Sequence, residues 1–378
     1  MAEVNIYEGA LDKGLEGVVA CTTAISFIVG NTLIFRGYTI EDLAEHSTFE
    51  EVIFLLWNDR LPNKTESESF KTELTQNMTL DPSFIQVLKT LPTNLHPMAW
   101  LRSAVSLMSH WDTDSNDNSI EANKKKAVRL TAKMGTLVAA FESIRNKREI
   151  LTPKAGKSLA WNFLYMLKGS EPEADIVKLF DICLILHADH ELNCSAFATR
   201  VTASSLSDMH SAVVSAIGAL KGPLHGGANE QVMVMLAKIG TIEKAQQFVK
   251  DALDAKEKVM GIGHRVYKDG DPRAAILRKF SEQLTKKIGK PELYQISVLI
   301  DETMNKQKGL MPNVDFYSAT VYHAMGIPTD IFTPIFAVSR IAGWIAHANE
   351  QYEKNRIYRP RGKWQGKEGL TWKPVEQR

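Results

Sequence analysis

Val177-Lys178-Leu179-Phe180-Asp181-Ile182-Cys183-Leu184-Ile185-Leu186-His187-Ala188 is apolar on almost every side of a helical wheel. Such a helix has no broad face to offer water, so it belongs inside a helical core. No proline interrupts residues 173–222, and helical patterning dominates on either side. Thr39-Ile40-Glu41-Asp42 and Thr48-Phe49-Glu50-Glu51 resemble capping boxes, each ahead of apolar residues at helical spacing. The spacing predicts a long amphipathic helix over 120–146, after a polar loop at 112–119, and a helical pattern again over 325–350. Strand signal is confined to 24–38, where Ile25, Phe27 and Val29 alternate, Gly30-Asn31 supplies a turn and 33–35 returns. The expectation is a mainly α fold with one short N-terminal β-hairpin.

The chain of 378 residues suits two domains better than one. Lys plus Arg number 45 against 44 Asp plus Glu, a net of +1, which excludes a general basic nucleic-acid binder. No continuous run of about 18 apolar residues is visible, so no membrane span is expected. Met1-Ala2-Glu3-Val4-Asn5 has no basic start and no apolar stretch of a secretory signal. Cys21, Cys183 and Cys194 form no CxxC pair and read as reduced, partly buried thiols, so the location expected is cytoplasmic. The one basic concentration is 353–378, with eight basic against three acidic side chains.

Five of the ten histidines fall between 187 and 264. His187 and His190 stand three apart and would share a face on a helix. Together with Glu191 they raise a zinc reading, but neither HExxH nor HxxEH is present; a polar ligand site or a helix-end histidine are the other readings. His225 sits in Gly222-Pro223-Leu224-His225-Gly226-Gly227, which reads either as a turn with an incidental histidine or as a close-approach site for a ligand. His264 in Gly261-Ile262-Gly263-His264, followed by Arg265, Lys268 and Arg273, reads as a solvated loop or as an anion site. Asp315, among Val314, Phe316 and Tyr317, is either a helix N-cap or a buried carboxylate tuned toward a base. Arg340 ends an apolar stripe and either snorkels to solvent or reaches into a cleft to grip a carboxylate. Arg359 and Arg361 flank Pro360 and read on their own as tail charges.

Taken together, these segments resemble the citrate synthase family. The resemblance rests on His187-Ala188-Asp189-His190-Glu191-Leu192-Asn193, Gly222 to Glu230, Gly261-Ile262-Gly263-His264-Arg265-Val266-Tyr267, Asp271-Pro272-Arg273, Pro312-Asn313-Val314-Asp315, Phe332-Thr333-Pro334, Ser339-Arg340 and Arg359-Pro360, in order along the chain. Gly14-Leu15-Glu16-Gly17-Val18 and Arg36-Gly37-Tyr38 fit the shorter, bacterial and archaeal-like branch. The resemblance implies a multi-helical homodimer that condenses acetyl-CoA with oxaloacetate and hydrolyses citryl-CoA to citrate and CoA. It needs no metal and no cofactor beyond the coenzyme A thioester used as substrate. It implies a large domain (1–225 plus 325–378) and a small domain (226–324) that close on substrate. By motif match Asp315 is the base, His225 the donor to the thioester oxygen and His264 the donor to the ketone. His190, Arg273, Arg340 and Arg359 bind oxaloacetate, Arg359 reaching across the dimer interface. Arg265 and Lys268 are candidates for CoA, His187 and Asn193 for support, and Cys194 for packing. The alternative within the family is 2-methylcitrate synthase, acting on propionyl-CoA. Rivals from other classes are a metal-dependent hydrolase built on His187, His190 and Glu191, and a silent CoA-binding scaffold.

Overall fold

The computed structural model describes residues 13–264, 266–267 and 269–378. It opens with a small antiparallel sheet. β1 (Ser26–Val29) pairs with β2 (Thr32–Phe35) across Gly30-Asn31, with Val29 opposite Thr32 and Ser26 opposite Phe35. The expected hairpin gains a third strand, β3 (Tyr38–Thr39), through a turn in which Arg36 and Gly37 both take positive φ. That turn type matches the natural strand twist, so two residues suffice to reverse the chain. Ile25, Leu33 and Phe35 are buried, whereas Phe27 and Val29 point outward, each 57% exposed.

Helices follow, up to an irregular tail from 354: α1 (Ile40–His46), α2 (Phe49–Asn58), α3 (Lys64–Gln76), α4 (Pro82–Thr90), α5 (Pro97–Met108), α6 (Ile120–Arg145), α7 (Leu159–Lys168) and α8 (Ala174–His187). The Thr48–Glu51 capping box is complete, starting α2. At α1 the Thr39 side chain accepts from the Asp42 amide, but only half of the box forms: the shorter aspartate binds the Thr39 hydroxyl instead of its amide. There follow α9 (Cys194–Ser204), α10 (Met209–Leu220), α11 (Ala228–Ile239), α12 (Ile242–Asp254), α13 (Pro272–Lys287), α14 (Pro291–Lys308), α15 (Val314–Ala324) and α16 (Phe332–Glu353).

The helix that runs through the core is α16, which packs on α2, α5, α6, α8, α9 and α10. Residues 331–348 are buried without interruption. By length and composition 329–353 could cross a membrane, contrary to the sequence reading, yet its most apolar window is wholly buried in the protein. The same segment begins as a helix only at Phe332, because Gly326 at φ +71° and Pro328 interrupt the pattern from 325. α8 is fully buried only from Cys183 onward; Ala174, Asp175 and Lys178 are exposed, while Asp181 turns inward and accepts the Phe49 amide at 3.0 Å. α11 to α15 pack largely on one another, α13 against α15, α11 against α15 and α12 against α14.

Candidate active site

α8 stops at His187, and the turn that follows lies flat against α16. The Gly343 amide donates to Ala188 O at 3.1 Å. A Cβ at 343 would come within 2.6 Å of that oxygen and collide with the Asp189 carboxylate, so only glycine permits this approach. Asp189, buried, accepts from Ser26 Oγ at 2.5 Å, and Ser26 Oγ in turn accepts from the Glu191 amide at 2.7 Å. Thus β1 anchors the turn that carries His190. Arg340, one helical turn ahead of Gly343, donates from Nε to His187 O at 2.7 Å and lies over the Phe336 ring at 4.7 Å. His187 packs edge-on to Phe336 at 4.8 Å, with its Nδ1 donating to Cys183 O at 2.7 Å.

His225 enters beside the same ring, 6.3 Å from Phe336. Its loop, between α10 and α11, is tight: a Cβ at Gly226 would strike Leu220 and its carbonyl at 2.5–2.8 Å. The Ser195 amide points at His225 Nε2 from 3.3 Å and the Ser195 hydroxyl lies 2.9 Å away. With Nε2 accepting the amide, the ring proton stands on Nδ1. Ser195 is itself held by Trp344 Nε1 at 2.9 Å and by Asn193 Oδ1 at 2.8 Å. Asn193 is the N-cap of α9. Asn193, expected from sequence as a possible supporting residue, thus touches His225 only through Ser195, which no sequence signal singled out.

The His264 loop is pinned to the start of α15. Gly263 donates to Met311 O at 2.7 Å, Asn313 N to Gly261 O at 2.9 Å, and Asn313 Nδ2 to Gly263 O at 3.0 Å. Gly261, at φ +75°, leaves no room for a side chain between Val232 and Phe316. His264 Nδ1 accepts the Val266 and Tyr267 amides at 3.0 and 3.2 Å, which leaves its proton on Nε2. The rings of His190, His264 and Tyr267 touch, with centroids 4.6–5.5 Å apart, and Tyr267 OH meets His190 Nε2 at 3.2 Å. Asp271 caps α13, holds Arg273 through two bonds of 2.9 and 2.8 Å, and accepts the Val314 amide at 3.0 Å. It thereby locks the starts of α13 and α15 together.

Asn313, not Asp315, caps α15. Asp315 sits in the first turn, buried, with Oδ1 unpartnered among the described residues. Burial pushes its carboxyl up to about 7, against the pull of Arg273 and Arg340. Burial also holds His225 down at about 3, with Arg340 adding to it, and His264 at about 4, with help from Arg273. His190 lies well below its ordinary value for the same reasons. All three imidazoles are neutral hydrogen-bonding groups at working pH. Arg340 does not snorkel: it is 1% exposed, and no carboxylate lies within 4 Å of its guanidinium among the described residues. Burial lowers its own pKa to about 10. Two buried guanidiniums with one close carboxylate between them leave positive charge unanswered, which suits a small dianion.

The structure therefore brings together His190, His225, His264, Arg273, Arg340 and Asp315, with His187 beneath them. Arg359 does not join them within this chain. It is exposed, on the wall of a cavity of about 880 Å³ lined also by Cys21, Arg200, Glu350 and Tyr358. Arg265 and Lys268 lie outside the described residues. His187 and His190 do not share a helical face, because α8 ends between them, and no three metal-ligating side chains converge among the described residues. Cys194 is exposed at the start of α9 and so is not a packing residue; of the three thiols only Cys183 is fully buried. Tyr267, Asp271 and Phe336 went unassigned at sequence level. The only hint was their spacing from His264, Arg273 and Arg340, since their partners are fixed by packing.

A family model described as citrate synthase, C-terminal domain, matches residues 14–361. The chain is 50% identical to citrate synthase 2 of Bacillus subtilis, over 97% of this chain and 99% of that protein. It is 47% identical to a citrate synthase of Haloferax volcanii, over 98% and 100%. It is also 40% identical to a citrate/2-methylcitrate synthase of Bacillus subtilis, over 93% and 96%. Among solved structures, the citrate synthase of Thermoplasma acidophilum in ternary complex with carboxymethyl coenzyme A and oxaloacetate superposes with a TM-score of 0.93 at 30% identity, over 98% of this chain and 100% of that one.

Proposed function

Because the chain belongs to the citrate synthase family, and is an enzyme of that family, we propose that it condenses acetyl-CoA with oxaloacetate and hydrolyses the citryl-CoA formed, giving citrate and CoA. The observation that carries this reading is Asp315. A carboxyl poised near neutrality lies among two neutral imidazoles and two buried guanidiniums. Arg273, Arg340 and His190 bind the two carboxylates of oxaloacetate, with Arg359 supplied by a second copy of the chain. Asp315, ionised, takes a proton from the acetyl methyl. His225 donates its Nδ1–H to the thioester oxygen as negative charge gathers there, which is what makes so weak a carbon acid reactive. The enolic carbon attacks the ketone carbon of oxaloacetate, and His264 gives its Nε2 proton to the ketone oxygen. Water then cleaves the thioester, leaving citrate and free CoA.

The enzyme works as a cytoplasmic homodimer of two-domain subunits, 1–225 plus 325–378 closing on 226–324. Closure keeps water from acetyl-CoA until citryl-CoA exists. The deciding assay is release of the CoA thiol from acetyl-CoA with and without oxaloacetate. Oxaloacetate-dependent release is expected; release independent of it would mean a thioesterase. Similarity to a citrate/2-methylcitrate synthase favours one second reading, preference for propionyl-CoA. One methylene changes binding by only about 1–3 kcal/mol, so the ratio of kcat/KM for the two thioesters decides between them.

A further inference from the structure

His96 stands outside the cluster of histidines and arginines, at the start of α5. Its Nδ1 accepts the Met98 amide at 3.1 Å, so its proton is on Nε2, which donates to Glu230 Oε2 at 2.9 Å. Glu230 is buried in the first turn of α11, five residues beyond His225. Its other oxygen accepts the Thr333 amide at 3.2 Å and contacts the Thr333 hydroxyl, which lies 3.3 Å from Gly226 O. One carboxylate therefore ties together the starts of α5, α11 and α16 and borders the peptide next to His225. The chain passes between the α11–α15 group and the remaining helices near 225–228 and again near 325–332. The Glu230–Thr333 contact joins those two passages.

We propose that His96 and Glu230 are positioning residues for His225: they clamp the loop at the double crossing so that Nδ1–H meets the thioester oxygen. The proposal rests on the function proposed above. A glutamine at 230 could still accept from Thr333, but its amide N–H₂ would then face the His96 Nε2–H, donor against donor. The His96 ring cannot switch tautomer without abandoning the Met98 amide. An asparagine at 96 keeps the helix cap yet is too short to reach Glu230, which separates the capping role from the clamp.

The test compares full-length wild type with Glu230→Gln, His96→Asn and His96→Gln. Glu230→Gln and His96→Asn are expected to lower kcat about tenfold while KM for oxaloacetate stays within about twofold, because His190, Arg273 and Arg340 are untouched. His96→Gln, long enough to offer an N–H to Glu230, should recover most of the rate. Amides 226–228 should exchange with deuterium faster in Glu230→Gln than in wild type. Unchanged kcat in both Glu230→Gln and His96→Asn, or loss of oxaloacetate affinity in step with kcat, overturns the proposal. If wild type shows no oxaloacetate-dependent CoA release, the functional reading fails instead, and the exchange comparison alone decides the clamp: equal protection at 226–228 rejects it.

Discussion

The carboxyl of Asp315, raised to about 7, gains and loses its proton in the working range, whereas the rings of His225 and His264, at about 3 and 4, do not. The rate should therefore climb with pH through a single ionisation near neutrality, with no imidazole limb below it. Asp315→Asn should abolish that limb and lower kcat by roughly a thousandfold, measured as CoA release across the pH range. Stability should run the other way. A raised carboxyl keeps its proton in the folded protein at pH values where the unfolded chain has lost it, so folding binds protons and stability declines as pH rises through the folded value. The fall in Tm between about pH 5 and 8 should be smaller in Asp315→Asn than in wild type. Arg340→Met, which removes a buried cation with no close carboxylate, should raise Tm of the ligand-free protein while weakening oxaloacetate binding at least a hundredfold by titration calorimetry. At this scale the sequence reading named the residues that the structure gathers, because histidines beside glycines and charged side chains set among apolar neighbours are conspicuous. It could not reach Ser195 or Asp271, whose polar side chains are ordinary until folding sets them against His225 and Arg273.

Element by element, apolar composition identified helices better than it ranked them. The stretch 177–188 looked most buried, yet its N-terminal half is partly exposed, because Lys178 sets one side of the turn toward the periphery while Asp181 turns inward to the Phe49 amide. α16 carries Arg340 and His347 inside it and is buried from its start to Ala348, since its cation is accommodated by the site and its histidine meets Asp189 at 3.3 Å. Which charged residues a core will tolerate depends on partners more than 150 residues away, and these no local pattern contains. The same geometry gives a sharp expectation at Gly343. Adding one methyl there forces α16 away from the His187–His190 turn, so Gly343→Ala should cost about 1–3 kcal/mol in denaturant unfolding and raise KM for oxaloacetate. The third strand was missed for a smaller reason: Arg36 in a left-handed turn position carries none of the usual glycine or asparagine signal.

Across the whole molecule, the near-zero net charge and the buried arginines point the same way: under the proposed reaction an anionic substrate would meet its counter-charges inside a cleft and not on a basic surface. If Arg359 completes the site of a second copy, two inactive variants should rescue each other. Mixing Asp315→Asn with Arg359→Ala after dissociation and reassembly should regain up to about a quarter of wild-type activity, because half of the subunits pair unlike with unlike and each such pair has one intact site. No recovery would mean that each subunit builds its site alone. The burial of α16 has a further consequence, for the order in which the protein is made. The helix that fills the middle of the core leaves the ribosome only after the entire α11–α15 group has been synthesised. Until it arrives, the helices around it surround an apolar trough with nothing in it, and the nascent chain must be shielded for the time it takes to add those residues. A mutation that slows synthesis or folding between 226 and 331 would then lower yield without touching any group that meets substrate.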